Sequence, residues 1–302
     1  MEESSTVSQL LEHLLPHQDD VVIENIQSLY AGIGQPTWRA YAHQVQYLHD
    51  LSHVEDKTSA QNPYSEVATT AQVRDYYLQL RSQALAGNAD AINDLGWHFL
   101  NGFGLAYEPV LAGKLLTIAA AEGALMARFN LGQQAYYGKG MAVDVVLAAQ
   151  YYEQALEDAH PWAALALGRL YDTQGSEDEH DLPSDQTRAV DYYQQAAEWK
   201  LYEAGFYLGQ MFLKRDSKHY NLADALYWLQ WSATHGCSFS SEALARYYVE
   251  DCFLDFPREA AQALYCFWRD FSIRQNGYES EQWLALDEAI EVPHSNCLEL
   301  CD

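Results

Sequence analysis

Positive charge is scarce in this chain of 302 residues: 17 lysines and arginines stand against 43 aspartates and glutamates, giving a formal net charge of −26. A phosphate backbone or an anionic bilayer recruits clusters of Lys and Arg, so neither nucleic acid nor a membrane surface is expected as a partner. The same field would steer a basic protein toward the chain. Cysteine is equally rare. All five stand beyond residue 236, at Cys237, Cys252, Cys266, Cys297 and Cys301. An odd number without regular spacing gives no disulfide framework and fits reduced thiols. Long apolar runs are missing, and the acidic opening Met1-Glu2-Glu3-Ser4-Ser5 lacks the basic flank of a secretory signal. These absences point to a soluble cytoplasmic protein. Apolar residues, in contrast, make up 49% of the chain, with 22 tyrosines and eight tryptophans that offer large surfaces for helix packing or recognition.

One short pattern returns four times: Leu95-Gly96, Leu131-Gly132, Leu167-Gly168 and Leu208-Gly209, with glycine spacings of 36, 36 and 41 residues. Self-similarity at this period marks helical hairpins that stack because one hairpin cannot bury its apolar face alone. Five residues before each glycine stands Ala91, Ala127, Ala163 or Ala204, small enough for a partner helix to approach. Three residues after it come Phe99, Ala135, Tyr171 and Phe212, on the same helical face and expected in the core. Gly102-Phe103-Gly104 and Gly138-Lys139-Gly140 read as helix stops with tight turns; no strand precedes them, as a phosphate-cradling loop would require. A second helix then carries Tyr151-Tyr152, Tyr192-Tyr193 or Tyr227-Trp228 and closes on small residues such as Ala119-Ala120-Ala121-Glu122-Gly123. The periodicity is helical throughout.

This run of Leu-Gly, aromatic, Gly-x-Gly, acidic residue, aromatic pair and Ala-Ala resembles the Sel-one-like repeat family, a relative of the tetratricopeptide repeat. The clearest copy runs from Ala124 through Leu131-Gly132, Gly138-Lys139-Gly140, Asp144 and Tyr151-Tyr152 to Ala159. The resemblance covers about residues 73 to 274 and implies an all-α, right-handed α-solenoid of stacked hairpins. It fades to Tyr76-Tyr77 and Ala84-Leu85-Ala86-Gly87 upstream, and to Leu244-Ala245 with Tyr248 downstream. Similar proteins act mainly as adaptors, and some bacterial ones are immunity proteins against toxic effectors. Cysteine-rich members linked to penicillin binding and hydrolysis carry a cysteine pair in each repeat, which the first three repeats here lack.

Residues 1–60 fall outside the repeat and show helical spacing in Val7, Leu10, Leu11 and Leu14, in Val22, Ile23, Ile26 and Leu29, and in Trp38, Tyr41, Val45 and Leu48. They are expected to form a helical cap or small lobe ahead of a repeat body over residues 73–274, with a C-terminal capping helix within residues 275–302. The most enzyme-like string is His49-Asp50-Leu51-Ser52-His53, with two imidazoles one turn apart. Aspartate is shorter than the glutamate of a His-Glu-x-x-His zinc site, and a third ligand is not evident. His13 and His17 share the spacing, but Pro16 disturbs the helix between them. Cys297 and Cys301 lack a companion pair for metal, and the acidic loop Ser176-Glu177-Asp178-Glu179-His180-Asp181 lacks the glycine and terminal glutamate of an EF-hand. No catalytic residue, metal or cofactor is assigned.

The expected function is a non-catalytic protein-binding scaffold. The first helix of each hairpin would face a concave surface, with Asn93, Trp97, Arg128, Gln133, Arg169, Tyr207 and Gln210 contacting a basic protein partner. Neutralisation of a basic toxin, as an immunity protein, is the alternative; a metal-dependent or β-lactamase-like hydrolase is the weaker one.

Overall fold

A computed structural model describes residues 2–16, 70–102, 105–172, 182–250, 257–276, 283 and 286–287. The second and third N-terminal helices expected from sequence, His17, His49, His53, the acidic loop 176–181, Cys252, Cys297 and Cys301 lie outside them. So does most of the expected C-terminal capping helix, although Trp283, Leu286 and Asp287 are helical and buried.

The described residues form twelve helices: α1 (Glu2–Leu14), α2 (Thr70–Leu85), α3 (Ala89–Asn101), α4 (Pro109–Ala121), α5 (Leu125–Tyr137), α6 (Val145–Glu157), α7 (Pro161–Tyr171), α8 (Gln186–Glu198), α9 (Glu203–Leu213), α10 (Leu222–Thr234), α11 (Ser238–Glu250) and α12 (Arg258–Asn276). The chain divides into two compact units, Met1–His160 and Pro161–Asp302. In the first, α3 pairs with α4 and α5 with α6; in the second, α7 pairs with α8, α9 with α10 and α11 with α12. No described helix is long and apolar enough to cross a membrane.

Each hairpin is set by the same few contacts. The residue twelve positions after the Leu-Gly glycine, or seventeen in the third repeat, starts the second helix, and its N–H donates to the carbonyl three positions after that glycine. The four bonds are Glu108 to Phe99 (2.9 Å), Asp144 to Ala135 (3.0 Å), Asp185 to Tyr171 (3.0 Å) and Asn221 to Phe212 (3.0 Å). The longer connection of the third repeat is therefore closed in the same way as the short ones. Three of these residues also cap the helix they start: the side chains of Asp144, Asp185 and Asn221 accept backbone N–H groups of its first turn. Glu108 makes no such bond, and Pro109, with its φ preset, opens α4 instead.

The glycines of the Leu-Gly pairs lie inside first helices, where they would cost helix stability unless packing required them. Packing does require them. A Cβ at Gly96 would stand 2.8 Å from Leu116, and one at Gly132 or Gly168 would stand 2.5 Å from the ring of Tyr152 or Tyr193. Leu116, Tyr152 and Tyr193 occupy the same position on successive second helices, so the second tyrosine of each aromatic pair seats directly on a bare backbone. Gly132→Leu should push α6 off α5 and destabilise the first unit by ~1–3 kcal/mol, as overpacking does. An unchanged urea midpoint would remove the close-approach explanation.

The alanines five positions before these glycines are all buried, as are Phe99, Ala135, Tyr171 and Phe212. Gly102 and Gly138 end α3 and α5 in the left-handed conformation, at φ 64° and 63°. Where second helices end, Gly87, Gly123 and Gly236 take positive φ, but Ala159 and Lys200 hold the same place at φ 59° and 62°. Two repeats therefore accept a left-handed residue with a side chain, which sequence did not indicate.

Helix α1 docks on α2 through Ser8 Oγ, which donates to the Leu85 carbonyl (2.8 Å), while Tyr77 Oη and Arg81 Nε both donate to the Pro16 carbonyl. Leu11 and Leu15 enter the core with Val7 packed against it, whereas Leu10 is exposed. The buried seam follows the i, i+4 row of residues 7, 11 and 15, and Leu10 lies a quarter turn away from it. The helix ends at Leu14, ahead of Pro16.

Candidate functional site

Successive first helices carry Trp97, Gln133, Arg169 and Gln210 immediately after the glycine. Trp97, Gln133 and Gln210 are half-buried and Arg169 is exposed, while the leucines immediately before the same glycines are buried. Repetition thus presents one side chain per repeat at the same register.

In the first unit, Asn93 is buried. Its Oδ1 accepts from Asn130 Nδ2 (2.9 Å), tying α3 to α5, and its Nδ2 donates to Asp94 (3.2 Å). Trp97 meets His98 edge-on at 5.3 Å between ring centroids, and its carbonyl accepts from Asn101. Arg128 forms an ion pair with Asp158, beyond the end of α6. Asn93 and Arg128 therefore connect helices, while Trp97 and Gln133 stand at the repeated register. Beside them, the Lys139 ammonium donates to Asn101 Oδ1 at 2.6 Å, and burial lowers its pKa to about 8.

In the second unit the structure brings Arg169 and Tyr207 together with three residues that sequence reading did not select. The Arg169 guanidinium lies over the Tyr207 ring, 5.9 Å from its centroid. Tyr207 in turn stacks on Tyr193 at 5.1 Å with planes 12° apart. Gln210 follows Tyr207 one turn along α9. Just past the end of α7, Asp172 accepts a hydrogen bond from Lys214 Nζ at 3.2 Å.

Burial raises the Asp172 pKa, and the Lys214 charge partly restores it. Tyr193 is fully buried, and its hydroxyl has no hydrogen-bond partner among the described residues. Its pKa is raised, first by burial and then by Asp172 and Tyr207, with Arg169 opposing. All three groups thus lie within electrostatic reach of one hydroxyl. Tyr193 was legible only as a core aromatic. Asp172 and Lys214 carried one signal that could have found them: they stand four and five residues after their glycines, just past the ends of consecutive first helices.

Among the described residues no group of three or more His, Cys, Asp or Glu side chains is gathered to hold a metal ion. Cys237 and Cys266 are buried and form no disulfide.

Paired helices at a 36-residue period, with glycines at the crossings, define an α-helical repeat protein. The particular fold is that of the Sel1-like repeat. The chain is similar to a Sel1 repeat protein from Oxalobacter formigenes, at 19% identity and a TM-score of 0.57 over 77% of this chain and 98% of that one. It is also similar to c5321, a protective antigen of uropathogenic Escherichia coli strains displaying an SLR fold, at 20% identity and a TM-score of 0.56. That match covers 72% of this chain and 49% of c5321, so the chain spans about half of that protein's length. A looser likeness, to the immunity protein Pa5087 from Pseudomonas aeruginosa, has 16% identity and a TM-score of 0.45 over 85% of this chain and 87% of that one, and supports no inference about function. No protein-family model and no curated protein matches the sequence.

Proposed function

We propose that the chain is a non-catalytic scaffold that binds a basic protein along the first helices of its repeats. The observation that carries this reading is the repeated register Trp97, Gln133, Arg169 and Gln210, with Tyr207 beside Arg169. Side chains offered once per repeat within each unit, on helices fixed by their own hairpins, suit recognition of a protein surface and lose little freedom on binding. Asn93 and Arg128 brace the helices that carry this face, through their ties to Asn130 and Asp158. The net charge of −26 supplies long-range attraction for a basic partner. The same charge suits an immunity protein that covers a basic toxin, and a cytoplasmic setting fits both roles.

The test is recovery of partners from native lysate by the immobilised chain, followed by kinetics with the recovered protein. A stoichiometric basic partner is expected, with an on-rate that falls about tenfold or more between ~10 mM and ~500 mM salt. Trp97→Ala and Gln133→Ala should weaken binding while leaving helicity unchanged. A partner held equally well by these variants would overturn the proposed face. A partner that is toxic alone and silenced by the chain would assign the immunity role, and a harmless one the adaptor role.

A further inference from the structure

Four aromatic rings meet in the second unit where α9 starts and α10 ends. Tyr202, Trp228 and Trp231 are half-buried and His235 is exposed. The Tyr202 and His235 rings stack, with centroids 4.4 Å apart and planes 13° apart. Trp231 leans on Tyr202 at 5.0 Å and meets Trp228 edge-on at 5.5 Å. The cluster is also anchored to the helices that carry it. A Cβ on Gly205 would stand 2.9 Å from Trp231 Cε3, so the indole rests on bare α9 backbone. The Trp231 carbonyl accepts from His235 Nδ1 at 2.7 Å and from Thr234 Oγ1 at 3.0 Å. Little side-chain freedom is left for these rings to lose on binding.

The faces of such rings attract a cation within about 6 Å, tryptophan most strongly. Elsewhere the chain lays its own cations over its rings, as with Arg169 over Tyr207 and Arg188 at 4.0 Å over Tyr171. Over these four rings it lays none among the described residues. Lys200 and Glu203 flank Tyr202 in the sequence and offset each other, while Trp231 stands in the last turn of α10, the end of a helix that favours positive charge. The net charge of −26 supplies a basic protein from outside. Geometry then selects among cations. Rings with centroids 4.4 to 5.5 Å apart touch one another and leave no gap in which an ammonium could be caged. A cation must lie flat against the part of the rings left uncovered. There the planar, weakly hydrated guanidinium stacks better than a compact, strongly hydrated ammonium.

We infer that Tyr202, Trp228, Trp231 and His235 form an aromatic platform on which an arginine side chain of the basic protein partner stacks. The source of the arginine rests on the scaffold reading, and the platform refines it. Overall acidity draws the partner in at long range without choosing its orientation, and one guanidinium seated on rings held in place fixes that orientation at short range.

The test uses the full chain labelled with 15Nε1-tryptophan and 13Cε1-histidine, titrated at constant ionic strength with N-acetyl-arginine methylamide, its lysine counterpart and its neutral citrulline counterpart. The Trp228, Trp231 and His235 resonances should move saturably with the arginine probe, less with lysine and not with citrulline. Trp231→Phe and Tyr202→Leu, followed at His235 and Trp228, should each weaken the arginine response about threefold, the scale of one exposed cation–π contact. Trp231→Phe keeps a ring against Gly205 and should keep the helicity of the parent, so loss of folding does not stand in for loss of binding. An absent arginine response would overturn the inference, as would an equal response to citrulline or an unchanged response in both variants. A lysine response as large as that of arginine would overturn the choice of guanidinium. If Trp231→Phe and Tyr202→Leu both capture the partner as tightly as the parent does, the arginine anchor fails while the scaffold stands. If no partner is captured yet the arginine probe saturates, the scaffold reading fails and the cation chemistry of the platform stands.

Discussion

Replacing Asp287 by alanine should lower the stability of the second unit by about 3–5 kcal/mol, the usual effect of stranding one member of a buried ion pair. Asp287 is 1% exposed and Arg269 6%. Asp287 Oδ1 accepts from Arg269 Nη1 at 3.1 Å and from Tyr265 Oη at 2.5 Å. All three groups sit at the core built from α10, α11, α12, Trp283 and Leu286, where Trp283 meets Tyr265 edge-on at 6.4 Å. Without Asp287 the guanidinium stays buried and the tyrosine hydroxyl loses this acceptor. Asp270, 3.9 Å from Arg269 Nε, offsets part of this and places the effect toward the lower end of the range. Asp287→Asn retains an acceptor for Tyr265 but not the charge, and should fall between the alanine variant and the parent. Replacing both members by apolar residues, Arg269→Met with Asp287→Leu, should restore most of the loss, because two desolvated charges contribute little net stability. Urea unfolding followed by tryptophan emission reads the result, with Trp268 and Trp283 buried beside the pair. A parental midpoint for Asp287→Ala would mean that this charge pair does not hold Asp287 and its neighbours Trp283 and Leu286 to α12.

The pair was invisible in the sequence for a reason that also explains what was visible. Features repeated four times, such as the alanines at 91, 127, 163 and 204 or the glycines at 96, 132, 168 and 209, sample one structural environment in several copies. Their shared pattern therefore separates packing from accident. Asp287 and Arg269 occur once, eighteen residues apart, and nothing in their neighbours' chemistry tells that both are buried. The tyrosine pairs show the same limit inside a repeat. Periodicity reads Tyr152 and Tyr193 as core rings, which they are, but it cannot tell whether each hydroxyl finds an acceptor. The left-handed Ala159 and Lys200 were hidden because glycine, the usual sign, is absent there. Asn93 and Asn130 stand at different offsets from their glycines, so their hydrogen bond across α3 and α5 has no periodic trace. The positions after the glycines were legible as a repeated register. The grouping of Arg169, Tyr207 and Tyr193 needed three helices brought together.

Acidification should reveal a second buried group, with a loss of about 3 kcal/mol in the first unit between pH 6.5 and pH 4. His160 is 5% exposed and stacks on Phe129 at 4.5 Å with planes 15° apart, and its Nε2 lies 3.0 Å from Met126 Sδ. Burial depresses its pKa from 6.5 to about 4, against the opposing effects of its own backbone hydrogen bond and of Asp158. The unfolded chain therefore takes up this proton first. The stabilising contribution is fully present above pH 6.5 and is lost as the pH falls through 6.5 toward 4. Relief of repulsion among the 43 acidic residues acts in the opposite direction over the lower part of the window, so the unaltered chain alone cannot separate the two. His160→Phe can, because phenylalanine keeps the stack on Phe129 and removes the titration. Its melting temperature should fall less steeply with acidification than that of the parent, and equal slopes would locate the acid sensitivity elsewhere. The effect bears on binding as well as stability. His160 and the Arg128–Asp158 ion pair share the end of α6, so loosening this corner at low pH should also weaken any partner that depends on Arg128.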